Sequence, residues 1–497
     1  MPRATRIAIV ISIFAVAARF IAINQPFEDL WSWRQSDVAA IARNYFQGGF
    51  HFNRPQIDWA GNSGGYVGTE FPILPFVAAI SYKAFGIHEW VGRIQAVIFF
   101  TISLPFFFWL VRDRFGELAA IWALLFYSFA PLGIMASRCF MPDTPSLALS
   151  IIGLFLFQRW TEDPRSRSAF LWSAVCISLS ILVKATSVII GVPLACLAIQ
   201  HFGIRAVRNP KLWLFATIAL VPSALWYWHS YQISLEFYPH HFFGAGGVKM
   251  MSLGWYWKIA KEIPTLALTP FLFGAAIIGF IMTRSTRLRQ GYGAASIGAR
   301  PFGWWLGAMM LFIILVGYGN RHPWYRLPLV PIAAVFGGVA CAWLAERIAS
   351  RGAKLTLSVL MVALFSLSCL IYARTFYQPI AAPIRDAGLE LKRVTPPNSL
   401  IAAADNGDPT LFYYAERKGW HFLEKDGIYY GDPDGSEPAI VDLEQLRAQG
   451  AEYLAFTSNT SWWLDLYPEL REYVEANSKQ IAATPEFKIY RLNPKPE

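Results

Sequence analysis

Apolar runs bounded by charge, Pro or Gly recur along the first three quarters of the chain, and most approach the roughly 17–25 residues that cross a bilayer as a helix. Eleven such runs are read, at 7–24, 91–111, 118–135, 144–157, 169–183, 185–199, 212–228, 266–282, 304–318, 327–344 and 355–373. The shortest, such as 144–157, are expected to be tilted, partly re-entrant or covered by neighbours. In the first run Ala17 and Ala18 lead into Arg19, Phe20 and further apolar residues, so it reads as a retained span and not a cleaved leader.

Basic residues set the expected orientation. Alternate connections hold Arg3 and Arg6, Arg112 and Arg114, Arg159, Arg165 and Arg167, Arg205, Arg208 and Lys211, Arg284, Arg287, Arg289 and Arg300, and Arg347, Arg351 and Lys354. The other connections carry far fewer, which by the positive-inside rule predicts a cytoplasmic N-terminus. An odd number of spans then puts the tail outside. Residues 1–373 form the expected transmembrane domain, with 25–90 as its first outer loop, and 374–497 an extracytoplasmic domain. In the tail, segments 399–404, 409–414, 439–441, 443–449, 453–457, 468–476 and 487–491 read as alternating strand and helix, a small α/β layer. The predicted fold class is a polytopic α-helical membrane protein, with about 11 transmembrane helices, carrying that domain at its C-terminus.

Composition agrees. Of 497 residues 55% are hydrophobic and only 15% charged, against about 25% charged in a soluble domain. This excludes a soluble enzyme, a disordered chain and a nucleic-acid-binding domain. The formal charge of +10 matters by its placement more than by its sum. The five Cys fit no metal spacing and no disulfide framework. No Gly-rich phosphate loop is present.

Charges at the outer ends of spans are informative, because burying them near lipid is costly without a task. In the first loop Glu28, Asp29, Arg34 and Asp37 precede a stretch whose Val38, Ile41, Ala42 and Tyr45 share one helical face. Such a helix would lie in the interface, its acidic and basic residues suiting general-base work beside an anion, or serving only as a solvated cap. Glu70, followed by Phe71 and Pro72, sits at the membrane boundary, placed to bind a metal or a sugar hydroxyl or to cap the next helix. Arg138 and Asp143 share a Pro-braced turn, and Asp143 is also a natural N-cap. Lys184 stands alone between two apolar runs, and Arg321, His322, Tyr325 and Arg326 lie at the outer end of a later span. Outer-face cations call for an anion, and a lipid phosphate is the natural one; Lys184 alternatively snorkels. His240 and His241 would join Glu70 around a divalent metal, although no strong metal signature appears.

The order of these segments resembles the GT-C superfamily of polyprenyl-phosphate-sugar-dependent membrane glycosyltransferases, in particular the family 39/83-type enzymes. These include protein O-mannosyltransferases and bacterial aminoarabinose transferases. The resemblance rests on Ser36–Arg43, Gly68–Pro72, Ser81–Arg93, the Arg138 to Asp143 turn, His322–Pro331 and, in the tail, Phe412–Trp420. It implies a membrane-embedded inverting transferase in the plasma (inner) membrane, using a polyprenyl-phosphate-linked sugar and an acceptor hydroxyl on the extracytoplasmic face. No cofactor is required, a divalent metal is an option, and nucleic acid is not a partner. Where those relatives carry an Asp-Glu pair, this chain has Arg34 and Gln35, which moves the expected base to Asp37, with Glu28 or Asp29 as alternatives. Where the aminoarabinose branch has Lys after the acid, this chain has Phe71, which passes the phosphate role to Lys184, Arg138 or Arg321. Rival readings are a transporter or flippase of an anionic lipid or solute, and a ligase or polymerase of whole glycans.

Overall fold

The computed structural model of the chain describes residues 2–242, 247–284, 289–425 and 427–494, with the side chains of these except 289–297. Arg287 of the basic loop, and the side chain of Arg289, lie outside the described residues. Each of the eleven apolar runs falls on helix over most of its length. Among the described residues six helices are long and apolar enough to cross a membrane. A seventh span results if Leu253–Ala267 and Pro270–Arg284, which meet at a bend of 105°, count as one. Other runs give shorter apolar helices, such as Glu117–Phe129 and Arg167–Val183. The protein is thus a multi-span helical membrane protein.

Its contacts divide it into two compact units, one of residues 1–23, 93–226 and 244–376, the other of residues 24–92, 227–243 and 377–497. The first is a helical bundle. Its most enclosed candidate span is Leu329–Glu346, which packs on Glu117–Phe129 and Pro270–Arg284. Small residues permit this approach: a Cβ on Gly338 would stand 2.6 Å from the Ala119 carbonyl oxygen, and one on Gly279 only 1.9 Å from that of Phe336. The run 144–157, short by sequence, belongs to a longer helix, Asp143–Glu162, buried almost throughout against Arg167–Val183. That second helix ends where Lys184 adopts an extended conformation before a 3₁₀ turn, Ala185–Ile190. The break sets Lys184 at a junction, not on a helix face.

The second unit is a three-layer α/β arrangement. Five strands, β1 (Leu400–Ala404), β2 (Lys418–His421), β3 (Tyr453–Thr457), β4 (Ser478–Ala483) and β5 (Phe487–Leu492), form one sheet in the order β2-β1-β3-β5-β4. The β1 pairings with β2 and β3 are parallel, and those of β5 are antiparallel. Alternation along β1 feeds two cores. Ile401 and Ala403 face Ile41, Tyr45, Leu391 and Phe412 on one side. Ala402 and Ala404 face Trp420, Leu443, Trp463 and Val474 on the other. The first-loop helix, Ser32–Gly48, therefore belongs to a layer of this sheet, and burial extends around its circumference from Ser32 to Ala42, beyond the single apolar face read from sequence.

Segments 439–441 and 443–449, read as separate elements, are one helix, Ser436–Ala448, because Ala439, Leu443 and Leu446 recur at helical spacing against the sheet. β2 escaped the sequence reading since Lys-Gly-Trp-His has no strand pattern. Gly419 is needed there, as a Cβ would lie 1.9 Å from the Ile401 carbonyl oxygen. All five cysteines are free.

Gly279→Ala is expected to force apart Pro270–Arg284 and Leu329–Glu346, at a cost of about 1–3 kcal/mol. Thermal unfolding of the detergent-solubilised protein checks this, and an unchanged midpoint would count against the close approach.

Candidate active site

Each unit holds buried ionisable groups. In the second unit the Ser32–Gly48 helix carries Arg34 and Asp37 from its first two turns. Arg34 donates from Nη2 to both oxygens of Glu70, at 2.8 and 2.7 Å, with both side chains largely buried. Glu70 also accepts from the Thr69 hydroxyl at 3.1 Å. Asp37, 2% exposed, accepts the Trp59 indole N–H at 3.0 Å. The helix is tied to the tail by the Ser32 hydroxyl donating to Asp408 at 2.9 Å and by Ser36 and Thr410 hydroxyls 2.9 Å apart.

The alternative bases are committed elsewhere. Glu28 is ion-paired with Arg385. Asp29 accepts from the Gln35 amide at 3.0 and 3.2 Å and from the Trp31 backbone at 3.0 Å. A further buried pair, Arg43 with Asp58 at 2.5 Å, braces the same helix.

The tail contributes residues that the sequence reading did not single out. Asp405 follows β1 directly and His421 ends β2, so two parallel neighbours deliver a carboxylate and an imidazole at their carboxyl ends. The His421 Nδ1 lies 2.8 Å from Asp405 Oδ1, with both residues buried. The His421 ring centroid is 5.1 Å from that of Trp59, and the His241 ring is 5.4 Å from Trp59, edge-on. The available signal was topological: functional groups favour the carboxyl ends of parallel strands, but β2 was not legible as a strand.

Electrostatics differ sharply across this cluster. Burial pushes the Asp37 carboxyl up to about 6, against the opposing influence of the Trp59 hydrogen bond and of Arg34 and His421. Burial likewise raises Asp408 to about 6. Burial and the nearby Arg34 lower His241 to about 4. Burial opposes protonation of His421 too, yet the carboxylates of Asp405, Asp37 and Asp408 outweigh it and raise its proton affinity.

The first unit holds the other expected residues. Arg138 is fully buried and donates to the Ala22 carbonyl at 2.8 Å. Lys184 Nζ is 3.3 Å from Asp143 Oδ1 and 4.6 Å from the Tyr325 ring centroid. Asp143 Oδ2 is buried with no hydrogen-bond partner among the described residues. These residues line a cavity together with Ser150, Ser187 and Trp324. Arg138 and Asp143, five positions apart, thus have different partners, and the ion pair that forms is Asp143 with Lys184. Arg326 donates to Glu262 at 2.8 Å, while its buried Nε and Nη1 have no hydrogen-bond partner. Arg321 lies over Tyr318 and 2.9 Å from His322 Nε2, and His322 stacks on Trp324 with 4.5 Å between centroids.

Glu70, His240 and His241 do not form a metal-ligand set. Glu70 is neutralised by Arg34, whose charge opposes a dication, and the His240 Nδ1 lies 3.2 Å from the Ser234 carbonyl oxygen. Among the described residues no group of three or more His, Cys, Asp or Glu is disposed to hold a metal ion.

Because the folded Asp37 carboxyl titrates near 6 and the unfolded one near 3.8, the native state binds the extra proton. Native stability is therefore greatest at low pH and falls as pH rises through that window. Asp37→Asn is expected to raise the thermal unfolding midpoint at pH 8 and to leave it nearly unchanged at pH 4; equal shifts at both would contradict the titration. Arg34→Met leaves Glu70 buried without its counter-charge, an expected loss of about 3–5 kcal/mol, read in the same unfolding experiment.

Residues 69–228 match the family of dolichyl-phosphate-mannose-protein mannosyltransferases. No match is found among curated proteins. Among solved structures the chain is similar to ArnT from Cupriavidus metallidurans bound to undecaprenyl phosphate, with a TM-score of 0.63 and 15% identity over 97% of each chain. The apo form of that protein gives a TM-score of 0.66 and 14% identity over 98% of each. The apo oligosaccharyltransferase of Archaeoglobus fulgidus gives 0.60 and 13% identity, covering 94% of this chain and 72% of that one. The expected fold class is borne out: the chain shares the fold of ArnT and of the A. fulgidus oligosaccharyltransferase.

Proposed function

We propose that this protein is an integral-membrane glycosyltransferase that moves a sugar from a polyprenyl-phosphate donor to an acceptor hydroxyl. The observation that carries the chemistry is Asp37, a buried carboxylate whose proton affinity burial raises to the range a general base needs near neutral pH. The matched family segment supports the donor class. So do the similar structures: ArnT is bound to undecaprenyl phosphate, and the A. fulgidus oligosaccharyltransferase has an inhibitory peptide and a dolichol phosphate.

In this reading the acceptor oxygen attacks the anomeric carbon, the bond from that carbon to the phosphate oxygen breaks, and Asp37 takes the hydroxyl proton. The configuration at carbon inverts. Within the first unit Lys184 and Arg138 are the candidate lipid-phosphate cations, with Arg321, His322, Tyr325 and Arg326 as further binding residues; Lys184 would exchange part of its pairing with Asp143 for a phosphate. Glu70 serves chiefly to hold Arg34, and Glu28 and Asp29 hold the loop. No step requires a metal. The distribution of Lys and Arg supports a cytoplasmic N-terminus, with residues 374–497 outside the inner membrane.

Purified protein in liposomes, offered a panel of undecaprenyl-phosphate-linked sugars, should transfer or hydrolyse at least one. Asp37→Asn should lower the rate at least 100-fold, with its circular dichroism unchanged, and Lys184→Met should raise KM for the donor. Full activity in Asp37→Asn overturns the base; solute or lipid movement without transfer overturns the enzyme.

A further inference from the structure

The cluster around Asp37 contains more than a base needs. The turn Asp405–Asp408 after β1 and the helix Thr410–Ala415 that follows it meet the first-loop helix through the Ser32–Asp408 and Ser36–Thr410 contacts, and His421 at the end of β2 pairs with Asp405 of that turn. Each of these polar groups is itself fixed. Asp405 accepts the Gly407 backbone N–H at 3.0 Å and Asp408 that of Thr410 at 2.9 Å. His421 is gripped by both oxygens of Asp405, at 2.8 and 3.0 Å, with the Phe412 ring edge-on at 5.4 Å. Trp59 sits between, donating to Asp37 while packing on His421. Buried, fully engaged polar networks of this kind hold geometry and local potential together.

We propose that Trp59, the Asp405–His421 pair and Asp408 are positioning residues that fix the orientation and the charge state of Asp37. This makes the C-terminal tail a working part of the acid–base machinery. The inference rests on Asp37 being the base. The charged groups facing Asp37 are Arg34 on its own helix, His421 from β2 and Asp408 from the turn after β1. Their signs oppose one another. His421, whose proton affinity Asp405 raises, favours the Asp37 carboxylate, as do Arg34 and the Trp59 N–H; Asp408 disfavours it. Trp59 adds orientation, since its N–H holds Oδ1 and fixes the carboxylate rotamer.

The test titrates Asp37 without requiring turnover. In the full-length protein in detergent, the difference in unfolding midpoint between each background and the same background with Asp37→Asn opens above pH 3.8, where the unfolded carboxyl ionises, and levels off where the folded one does. Its levelling-off near pH 6 in the wild type reports the folded carboxyl. Trp59→Phe, which keeps the ring and removes the donor, and His421→Gln should each move the levelling-off up by about one pH unit, a tenfold change in proton affinity. Asp408→Asn should move it down. Opposite shifts distinguish electrostatic control from loosened packing, and Trp59→Phe keeps the test alive if His421→Gln does not fold. With a donor that the wild type accepts, the acidic limb of the rate profile should move in the same directions, kcat falling in Trp59→Phe with KM unchanged. A levelling-off that stays near 6 in the Trp59→Phe, His421→Gln and Asp408→Asn backgrounds overturns the proposal. If it shifts as stated while Asp37→Asn retains full transfer, the base assignment fails instead.

Discussion

An ion taken out of water costs several kcal/mol unless a counter-charge and hydrogen bonds go with it, and a chain with only 15% charged residues buries a large part of its supply. Arg34, Arg43, Asp29, Asp37, Asp405 and His421 in one unit, and Arg19, Arg138, Asp143, Lys184 and Arg326 in the other, are all less than 9% exposed. Local architecture follows from how each is satisfied. The first-loop helix must lie where Arg34 reaches Glu70 and Arg43 reaches Asp58. The break at Lys184 is where its ammonium reaches Asp143 and the Tyr325 ring.

The groups that are incompletely paired are the chemically interesting ones. Asp37 has an indole donor in place of a direct ion pair, so burial dominates and lifts its proton affinity. Asp143 has one oxygen toward Lys184 and the other without a hydrogen bond among the described residues. Buried ionisable groups that are incompletely paired cost stability, and such groups are where functional sites are sought. The two histidines flanking Trp59 diverge in proton affinity: burial and the nearby Arg34 lower His241, whereas the neighbouring carboxylates, Asp405 foremost, outweigh burial and raise His421.

Much of the fold was legible in the sequence. Long apolar runs have few alternatives to helix, because a backbone in a lipid-facing or densely apolar setting must satisfy its own hydrogen bonds. The strands at 399–404, 453–457 and 487–491 were legible as well, being short apolar segments between turns. β4 was not, since Ser-Lys-Gln at a sheet edge has polar residues on both faces, and β2 depends on Gly419 fitting beneath Ile401.

For the candidate site the division falls differently. The sequence by itself determined that this is a membrane protein, that Arg34, Asp37, Glu70, Arg138, Asp143 and Lys184 stand at chemically costly positions, and which superfamily their order resembles. Composition, run length and charge placement are local properties, readable one residue at a time. Only the tertiary structure decided the partners: Arg34 with Glu70 across 36 positions, Lys184 with Asp143 across 41, and Asp405, Asp408 and His421 around the first-loop helix from more than 350 residues away. Such pairings have no local signature, because a charge is satisfied by whatever the packed layers bring within a few ångströms, and sequence distance has no part in that energy.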